Sequence, residues 1–334
     1  MDQLSSFKWG ILGTGNIANK MASGLVTLPD ANLHAVGSRT LERAQSFAQT
    51  YDIPHAYGGY EELVSDPEID IIYVASPHTQ HLEHALLAMK HGKAVLVEKP
   101  ITINIEQTRQ LFAAAKEYGV FAMEAMWTRF LPIWVEIRSW IESGRIGDIR
   151  LLQSDFSFRG MERPREHRIF NPNLGGGALL DIGIYNIALA YQIFGEVPTD
   201  SSSFAHKGDT GVDINEVVTY AYANGAMATM TSSFEVDGSM EAVITGTKGR
   251  IRIPYFWKAT TAILETGRDD FYEEIREVKP YDASGLQCQA SYVMESLRKG
   301  ALEHPWMPHS ESLRIMEAMD SLRKQWGITY PDEA

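Results

Sequence analysis

The 334-residue chain has a single cysteine, Cys288, which excludes an intramolecular disulfide and a cysteine-rich metal site. It also lacks a surplus of positive charge, because 30 Lys and Arg residues face 43 Asp and Glu residues and leave a net charge of −13. A surface of this sign repels phosphate backbones, so neither nucleic acid nor an anionic membrane is an expected partner. No apolar run approaches the roughly 20 residues that span a bilayer. We therefore expect a soluble, cytoplasmic protein.

The chain contains strands and helices that alternate up to about residue 124, then a region that is mostly strands. The apolar runs of the first part are 7–12, 32–37, 69–75, 94–97 and 120–123. Helical patterns separate them, and this spacing indicates a parallel sheet covered on both faces. The later strand runs are 149–158, 217–223, 226–234, 242–246, 250–253, 262–265 and 272–278. Asn224-Gly225 predicts a tight hairpin in which both residues have positive φ, so this second sheet should be largely antiparallel.

A glycine motif, Gly13-x-Gly15-x-x-Ala18, follows the first strand and opens a helix. The first glycine permits a tight turn, the second lets a pyrophosphate approach the backbone, and a small third residue lets helix and strand pack closely. Backbone N–H groups and the helix dipole favour the anion. The motif predicts a dinucleotide site; the alternative is a tight turn without a ligand. The predicted contacts are Gly13, Thr14, Gly15, Asn16 and Ile17.

The end of the second strand predicts which dinucleotide binds. NAD sites usually place an acid here to bind the ribose hydroxyls, whereas this chain has Ser38 and Arg39, then Arg43, with no carboxylate before Glu42. A hydroxyl and two guanidinium groups suit a 2′-phosphate, so we predict NADP, with NAD use possible. The alternative is that both arginines are solvated charges at a helix start.

The third strand ends at Ser76-Pro77-His78, and His81 follows on the next helix. Ligands bind at this carboxyl edge of a parallel sheet, so we expect these residues to contact cofactor or substrate. The spacing of His78, His81 and His84 suggests a metal, but such steps drift around a helix and no Cys or Asp completes the set. We predict no metal site, and we interpret His84 as a helix-surface residue.

Glu98-Lys99-Pro100 ends the fourth strand. A lysine at this edge is costly without a partner. It either forms a salt bridge with Glu98 or supplies a cation that holds the substrate oxygen and the nicotinamide ribose.

Four segments together resemble the glucose–fructose oxidoreductase / inositol dehydrogenase (Gfo/Idh/MocA) family. They are the glycine motif, the segment from Ser76 to His81, Glu98-Lys99-Pro100 and the run from Gly175 to Tyr185. Residues 124–132 and 311–328 resemble the branch that contains dimeric dihydrodiol dehydrogenases and NADP-dependent D-xylose dehydrogenases. The resemblance implies an α/β protein with an N-terminal Rossmann domain over residues 1–124. Over residues 125–334 it implies a C-terminal α/β domain with an open, mainly antiparallel sheet that binds substrate and forms a homodimer or higher homo-oligomer. The C-terminal helices can pack back on the first domain.

The resemblance also implies residue roles. Lys99 matches the catalytic lysine of the family, and Asp181 matches the acid on the helix after the glycine run. Tyr185 lies one helical turn later on the same face, where many members have histidine. Trp127 matches an aromatic side chain near the nicotinamide, whereas Arg129 is a weaker match that we interpret as an ion-pair residue. Glu98 is placed among the cofactor contacts with Lys99.

The resulting hypothesis is hydride transfer between the nicotinamide and a hydroxyl or carbonyl carbon of a sugar, polyol or cyclic diol. Tyr185 would exchange the hydroxyl proton, and the Lys99 ammonium would lower the tyrosine pKa from its usual value of about 10. Asp181 would hold substrate hydroxyls or fix the geometry of the other two. Candidates for the pocket lining are Phe156, Phe158, Arg159, Arg165 and His167, of which Arg165 and His167 are alternatively surface charges.

Two other function classes stay open. One is an NAD-dependent glycosidase of the same fold, which acidic recognition of the NAD ribose would favour and Ser38-Arg39 disfavours. The other is a non-catalytic nucleotide-sensing protein, which the presence of Lys99, Asp181 and Tyr185 disfavours.

Overall fold

The computed structural model describes residues 6–267 and 273–333. Its strands are β1 (Phe7–Leu12), β2 (Ala31–Gly37), β3 (His55–Tyr57), β4 (Ile71–Val74), β5 (Ala94–Glu98), β6 (Ala122–Ala125), β7 (Ile149–Ser157), β8 (Asp200–Lys207), β9 (Asp213–Ala221), β10 (Met227–Ser233), β11 (Glu241–Gly246), β12 (Gly249–Pro254), β13 (Thr261–Thr266) and β14 (Glu273–Val278). Its α-helices are α1 (Asn16–Leu25), α2 (Leu41–Tyr51), α3 (Tyr60–Val64), α4 (His81–Lys90), α5 (Ile105–Tyr118), α6 (Ile133–Glu142), α7 (Ile184–Phe194), α8 (Leu286–Arg298) and α9 (His309–Trp326).

The chain forms two compact units. The first contains the described residues up to Phe130 together with Tyr281–Leu313, and the second contains Leu131–Pro280 and the described residues from Arg314 onward. The predicted domain boundary near residue 124 stays a prediction.

The first unit is built on a six-stranded sheet in the order β3-β2-β1-β4-β5-β6, in which every pair is parallel. The inner strands are apolar along their whole length; every residue of Ile71–Val74 is fully buried. A parallel sheet with helices on both faces requires such strands, because neither face meets water. The predicted parallel sheet is therefore confirmed.

The second unit contains an eight-stranded sheet in the order β14-β13-β12-β11-β7-β10-β9-β8. Only the β7–β10 pair is parallel among its described strands, so the prediction of a mainly antiparallel sheet is confirmed. One face is apolar and buried, with Leu152, Met230 and Ile244 among its residues. Alternate residues on the other face, such as Thr219 and Thr229, stay partly exposed. Antiparallel sheets commonly have such a two-sided pattern.

Three elements were missed by the pattern analysis. Strand β3 has only three residues and α3 has five, so neither is long enough to develop a recognisable period. Strand β8 is an edge strand with a polar sequence, Asp-Ser-Ser-Ser-Phe-Ala-His-Lys, and edge strands need no apolar alternation. The predicted first residue of the last strand, Tyr272, lies outside the described residues.

The turn between β9 and β10 corrects one prediction. Gly225 has a φ of +80°, but Asn224 is not among the described residues with positive φ. The Gly225 N–H donates to the Tyr222 carbonyl, the Tyr222 N–H donates to the Ala226 carbonyl, and the Asn224 side chain accepts from the Ala226 amide. The loop is therefore longer than a two-residue turn, and only its glycine needs the left-handed conformation.

The helix that follows the glycine run is interrupted. Leu179–Gly183 forms a π-helical turn, and α7 starts only at Ile184. By length and composition, Pro172–Phe194 is the one described segment that could cross a membrane, which corrects the expectation that no apolar run has this length. The fold buries 83% of the most apolar 18 residues of this segment, and the core helices of soluble proteins are equally long and apolar.

Candidate active site

The turn after β1 has the geometry that its motif predicts. Gly13 has a φ of +107°, and a Cβ atom there would lie 2.9 Å from the Ala75 carbonyl oxygen. Gly15 caps the amino end of α1, and no described atom lies within 4 Å of the position that its Cβ would take. The first turn of α1 contains no acidic residue. The first amides of a helix have no partner within that helix, and those of α1 face open space at Gly15. This arrangement fits a pyrophosphate.

The carboxyl end of β2 lies beside this turn. The Ser38 side chain is buried, and its Oγ lies 3.3 Å from Thr14 Oγ1. Arg39 and Arg43 are exposed and, with Thr40, Glu42 and Ser46, line a depression in the surface. Two guanidinium groups at the rim of a depression fit a ribose 2′-phosphate better than they fit a free hydroxyl pair.

His81 is fully buried at the start of α4. Its Nδ1 lies 2.8 Å from the Pro100 carbonyl oxygen and its Nε2 lies 2.9 Å from the Ser76 carbonyl oxygen. Burial lowers the pKa of His81 to about 4, although the two carbonyls oppose the shift. A neutral imidazole donates from only one nitrogen. His81 therefore donates to one of the two carbonyls and lies against the other, between the ends of β4 and β5, and we interpret it as a positioning residue.

The other candidates at this edge are more accessible. Pro77 is exposed, whereas Ser76 and His78 are half-buried, and the His78 ring centroid lies 5.7 Å from that of His81. His84 is only 6% exposed and its ring packs edge-on against Tyr60, so its interpretation as a surface residue was wrong. The helix turns this third histidine toward the interior.

Glu98 and Lys99 end β5 in different environments. Glu98 is 6% exposed and accepts a hydrogen bond from the Tyr73 hydroxyl. Burial raises the pKa of Glu98 to about 7, although the Tyr73 hydrogen bond and the nearby Lys99 charge lower it in part. Lys99 is half-buried. Glu98 is therefore a buried anchor of the strand, and Lys99 is the residue of this pair that is open to a ligand.

The segment after β6 carries two more candidates. Trp127 is half-buried in a 3₁₀ turn, Trp127–Phe130. Arg129 is 4% exposed, and its guanidinium donates to Glu311 at 2.7 Å and to the Trp306 carbonyl at 3.1 Å. These contacts are those of the ion-pair residue that the sequence suggested, whereas Trp127 stays a candidate for contact with a ring.

Asp181 and Tyr185 lie in the second unit and are 6% and 9% exposed. The π-helical turn that contains Asp181 widens the spacing before Tyr185, and such turns are frequent at functional sites. Arg168, which the sequence analysis missed, grips the Asp181 carboxylate with two hydrogen bonds of 2.9 and 3.2 Å. Its position in an irregular charged loop gave no signal that could be used.

A buried acid supports the start of this helix. Asp213 accepts a 2.5 Å hydrogen bond from the Leu179 amide. Gly177 has a φ of +118°, and a Cβ atom there would lie 2.5 Å from Asp213 Oδ1. The last glycine of the run is therefore required both by the backbone and by the space that Asp213 fills.

An aromatic cluster, formed by Phe156, Phe158 and Trp257, lies next to Tyr185. The Phe156 ring centroid lies 5.7 Å from that of Tyr185 and 3.8 Å from that of Trp257, with the last pair stacked at 16°. Phe158 joins the cluster at 6.3 Å from Phe156. Trp257 was not anticipated from the sequence, because it lies about 70 residues from Tyr185 in a short 3₁₀ turn.

The charged members of the predicted lining have partners on the surface. Arg159 pairs with Asp237 at 2.8 Å, and Arg165 pairs with Asp209. His167 is half-buried, and burial together with the neighbouring arginines lowers its pKa. The aromatic candidates of this set, Phe156 and Phe158, belong to the cluster beside Tyr185.

The site residues thus fall into two groups. Every predicted cofactor contact and Lys99 belong to the first unit, whereas Asp181 and Tyr185 belong to the second. Within the first unit, the candidates come from the carboxyl ends of β1, β2, β4, β5 and β6. This edge is where open parallel sheets bind dinucleotides.

The fold and this edge define an NAD(P)-binding oxidoreductase. A model of the oxidoreductase family with an NAD-binding Rossmann fold matches residues 7–126, and a model of the GFO/IDH/MocA C-terminal domain matches residues 134–252. The chain belongs to the Gfo/Idh/MocA family, as the sequence motifs predicted.

Curated relatives cover almost the whole chain. It is 38% identical over 330 residues to trans-1,2-dihydrobenzene-1,2-diol dehydrogenase from Xenopus laevis, with 97% of this chain and 99% of that protein covered. It is 35% identical to the Homo sapiens enzyme of the same name, with 98% and 99% covered. Among solved structures, a 3-ketoreductase from Actinomadura kijaniata in complex with TDP-benzene and NADP has a TM-score of 0.81 at 27% identity, with 96% and 97% covered.

Glu98 predicts a specific pH dependence of stability. Its pKa rises from the usual 4.5 to about 7 in the folded protein, so its contribution to stability is complete below pH 4.5 and is lost as the pH rises toward 7. Between pH 5 and 7.5 the free energy of unfolding of the wild type should fall by up to about 3 kcal/mol relative to that of Glu98→Gln. Urea unfolding of both proteins across this range measures the difference.

The control is Glu106→Gln, because Glu106 is a largely exposed residue of α5. Its difference from the wild type should stay constant over the same pH range. A constant difference for Glu98→Gln as well would show that Glu98 is ionised throughout.

Proposed function

We propose that the protein is an NADP-preferring dehydrogenase whose substrate is a cyclic 1,2-diol or a related ring compound with a CH–OH group. The observation that carries this proposal is the stacked Phe156–Trp257 pair beside Tyr185. Stacked rings offer a flat apolar surface to the face of a ring substrate. A polyol with many hydroxyls would instead need many polar partners in the same place.

The residues of the first unit provide the cofactor site in this proposal. The amides of Gly15, Asn16 and Ile17 would hold the pyrophosphate, while Arg39 and Arg43 would pair with the 2′-phosphate. When bound, the nicotinamide supplies or accepts a hydride at C4. Trp127 would limit the position of the nicotinamide, and the Lys99 ammonium would hold the ribose and the substrate oxygen.

The residues of the second unit provide the proton chemistry. Tyr185 would exchange the proton of the substrate hydroxyl as general acid and base. Asp181 would orient the substrate, and its carboxylate is already fixed by two hydrogen bonds from Arg168. A fixed carboxylate loses little entropy when it accepts a hydrogen bond from one more hydroxyl. The names of the curated relatives support a diol as the substrate class.

We also propose a homodimer formed through the open face of the second unit's sheet. Phe204 is 74% exposed on β8 and is paired with Val217 on β9, in line with Thr231 on β10. Met227 adds a second apolar side chain, 50% exposed. A partner copy would bury this apolar and hydroxyl-bearing surface.

A cytoplasmic location is proposed on the composition alone. Cys288 is the one cysteine, so the chain has no intramolecular disulfide of the kind that is common in secreted proteins.

The substrate proposal predicts the order of activities in a panel. With NADP, trans-1,2-dihydrobenzene-1,2-diol and trans-1,2-cyclohexanediol should have higher kcat/KM than D-xylose, D-glucose and myo-inositol, because they offer a ring face with few hydroxyls. Absorbance of the reduced nicotinamide measures each rate, with NAD assayed in parallel. Preference for the sugars or inositol would contradict the substrate class. Hydrolysis of a p-nitrophenyl glycoside added to the panel, without net reduction of the nucleotide, would indicate the glycosidase. Nucleotide binding without turnover would indicate a sensing protein.

The matched control for the cofactor is the double variant Arg39→Ala/Arg43→Ala. This variant should lose most of the preference for NADP over NAD, because we propose that both arginines bind the 2′-phosphate. The order of substrates should not change, because neither arginine has a proposed role in substrate binding.

The proton role predicts that Tyr185→Phe lowers kcat by about 100-fold or more, the usual contribution of a general acid or base. Lys99→Met should lower kcat strongly as well, while fluorescence titration shows that both variants still bind NADPH. Tyr191→Phe, on the same helix, is the control and should stay close to wild-type activity. Full activity in either of the first two variants would refute the assignment.

The dimer proposal predicts a mass of two chains by light scattering at micromolar concentration. Thr229→Arg, on the open face, should shift the mass toward one chain because it buries a charge in the contact. Val135→Arg, at an exposed position of α6, is the control and should leave the mass unchanged. A wild type that is only monomeric under these conditions would rule out the dimer.

A further inference from the structure

A cluster of metal-ligating side chains lies in the first unit, away from the proposed cofactor site. His34 is in the middle of β2, His55 begins β3, and Asp66 and Glu68 lie between α3 and β4. One ligand atom from each of His34, His55 and Glu68 lies within 4.8 Å of the other two. The cluster is near the amino ends of the strands, whereas the cofactor candidates follow their carboxyl ends.

His34 is the buried member of this cluster. It is 5% exposed, and its Nε2 makes no hydrogen bond of acceptable geometry within the described residues. Nevertheless two carboxylate oxygens face this nitrogen, Asp66 Oδ2 at 3.3 Å and Glu68 Oε2 at 3.6 Å. A buried ring nitrogen without a hydrogen bond is costly. A ligand between these atoms would remove that cost.

The separations fit a zinc ion. Zn²⁺ binds histidine nitrogen and carboxylate oxygen at 2.0–2.2 Å in tetrahedral geometry, which puts neighbouring ligand atoms about 3.3–3.6 Å apart. The distance of 3.6 Å between His34 Nε2 and Glu68 Oε2 matches such a tetrahedral edge. The His34 and His55 rings are tilted by 46° with centroids 4.6 Å apart, so both rings reach the same space.

Neighbouring groups orient the carboxylates. Asp66 accepts hydrogen bonds of 2.9 Å from the Glu68 amide and from the Tyr57 hydroxyl. Lys8 Nζ lies 2.9 Å from Glu68 Oε1, while Oε2 is the oxygen that faces His34. Such outer contacts are typical of metal sites.

We propose that His34, His55 and Glu68 hold a zinc ion, which would connect β2 and β3 to the segment before β4. Three side chains would supply ligands, and water would complete the tetrahedron. The site lies apart from the strand ends that carry the cofactor candidates, so the ion would not take part in hydride transfer. This site is independent of the proposed hydride transfer, and it goes beyond the expectation that the chain has no metal site.

The test is titration of the full-length, chelator-treated protein with ZnCl₂, followed by calorimetry. The wild type should bind one Zn²⁺ per chain, and His55→Ala and Glu68→Gln should each weaken binding by about tenfold or more. Both changed residues are exposed at the edge of the cluster, so the variants should fold. His91→Ala is the matched control, because His91 forms a comparable surface pair with Glu61 at 3.0 Å; it should bind as the wild type does.

Two further readouts distinguish a built site from loose surface binding. Co²⁺ in place of Zn²⁺ should give the intense visible absorption of a tetrahedral complex, and Zn²⁺ should raise the Tm of the wild type and of His91→Ala but not of His55→Ala. Equal Zn²⁺ affinity in the wild type and His55→Ala, or the weak absorption of octahedral Co²⁺, would overturn the proposal. The cluster would then be a polar contact between His34 and the two carboxylates.

Discussion

One buried imidazole holds together the edge of the sheet on which the first unit's site is built. His81 lies between the carbonyls of Ser76 and Pro100, which follow two neighbouring parallel strands. Glu124 makes a similar connection from β6, since its carboxylate accepts a 3.0 Å hydrogen bond from the Ile101 amide. Parallel strands end in loops that would otherwise be mobile. These buried polar contacts fix the backbone on the C-terminal side of Lys99.

In the second unit, a glycine run and a buried acid position Asp181 and Tyr185. The glycine run from Gly175 to Gly177 lets the chain turn closely over Asp213, and the Asp213 carboxylate then accepts the first helical amide. The π-helical turn that follows presents Asp181 to Arg168, and Tyr185 comes after it beside Phe156. Irregular helical geometry is unfavourable by itself, and here it is stabilised by a buried acid and dense packing. The Asp181 carboxylate is thereby held by Arg168, and the Tyr185 ring packs against Phe156.

Much of this arrangement was predictable because local sequence determines it. The apolar run of β4 indicates a buried parallel strand, and the glycines after β1 indicate a tight turn. The Gfo/Idh/MocA family was identified from the glycine motif and from the motifs that follow the later strands. The burial of His84 was not predictable from the spacing of the three histidines. Residues three apart lie on different parts of a helix surface, and which part faces the interior depends on the packing. Arg168, Trp257 and Asp213 reach their partners through tertiary contacts, and no pattern in the surrounding sequence signals such contacts. The β8 strand was missed for the same reason, since its pairing with β9 rather than its composition defines it.

The central claim is that the residues at these strand ends support hydride transfer between a nicotinamide and a substrate carbon. Isotope transfer tests it directly. The protein is incubated with NADP and trans-1,2-cyclohexanediol that carries deuterium on both carbinol carbons, and the nucleotide product is examined by NMR. Our account predicts deuterium at nicotinamide C4, on one face of the ring only. A reduced nucleotide without deuterium, or consumption of the diol with no reduced nucleotide formed at all, would contradict it.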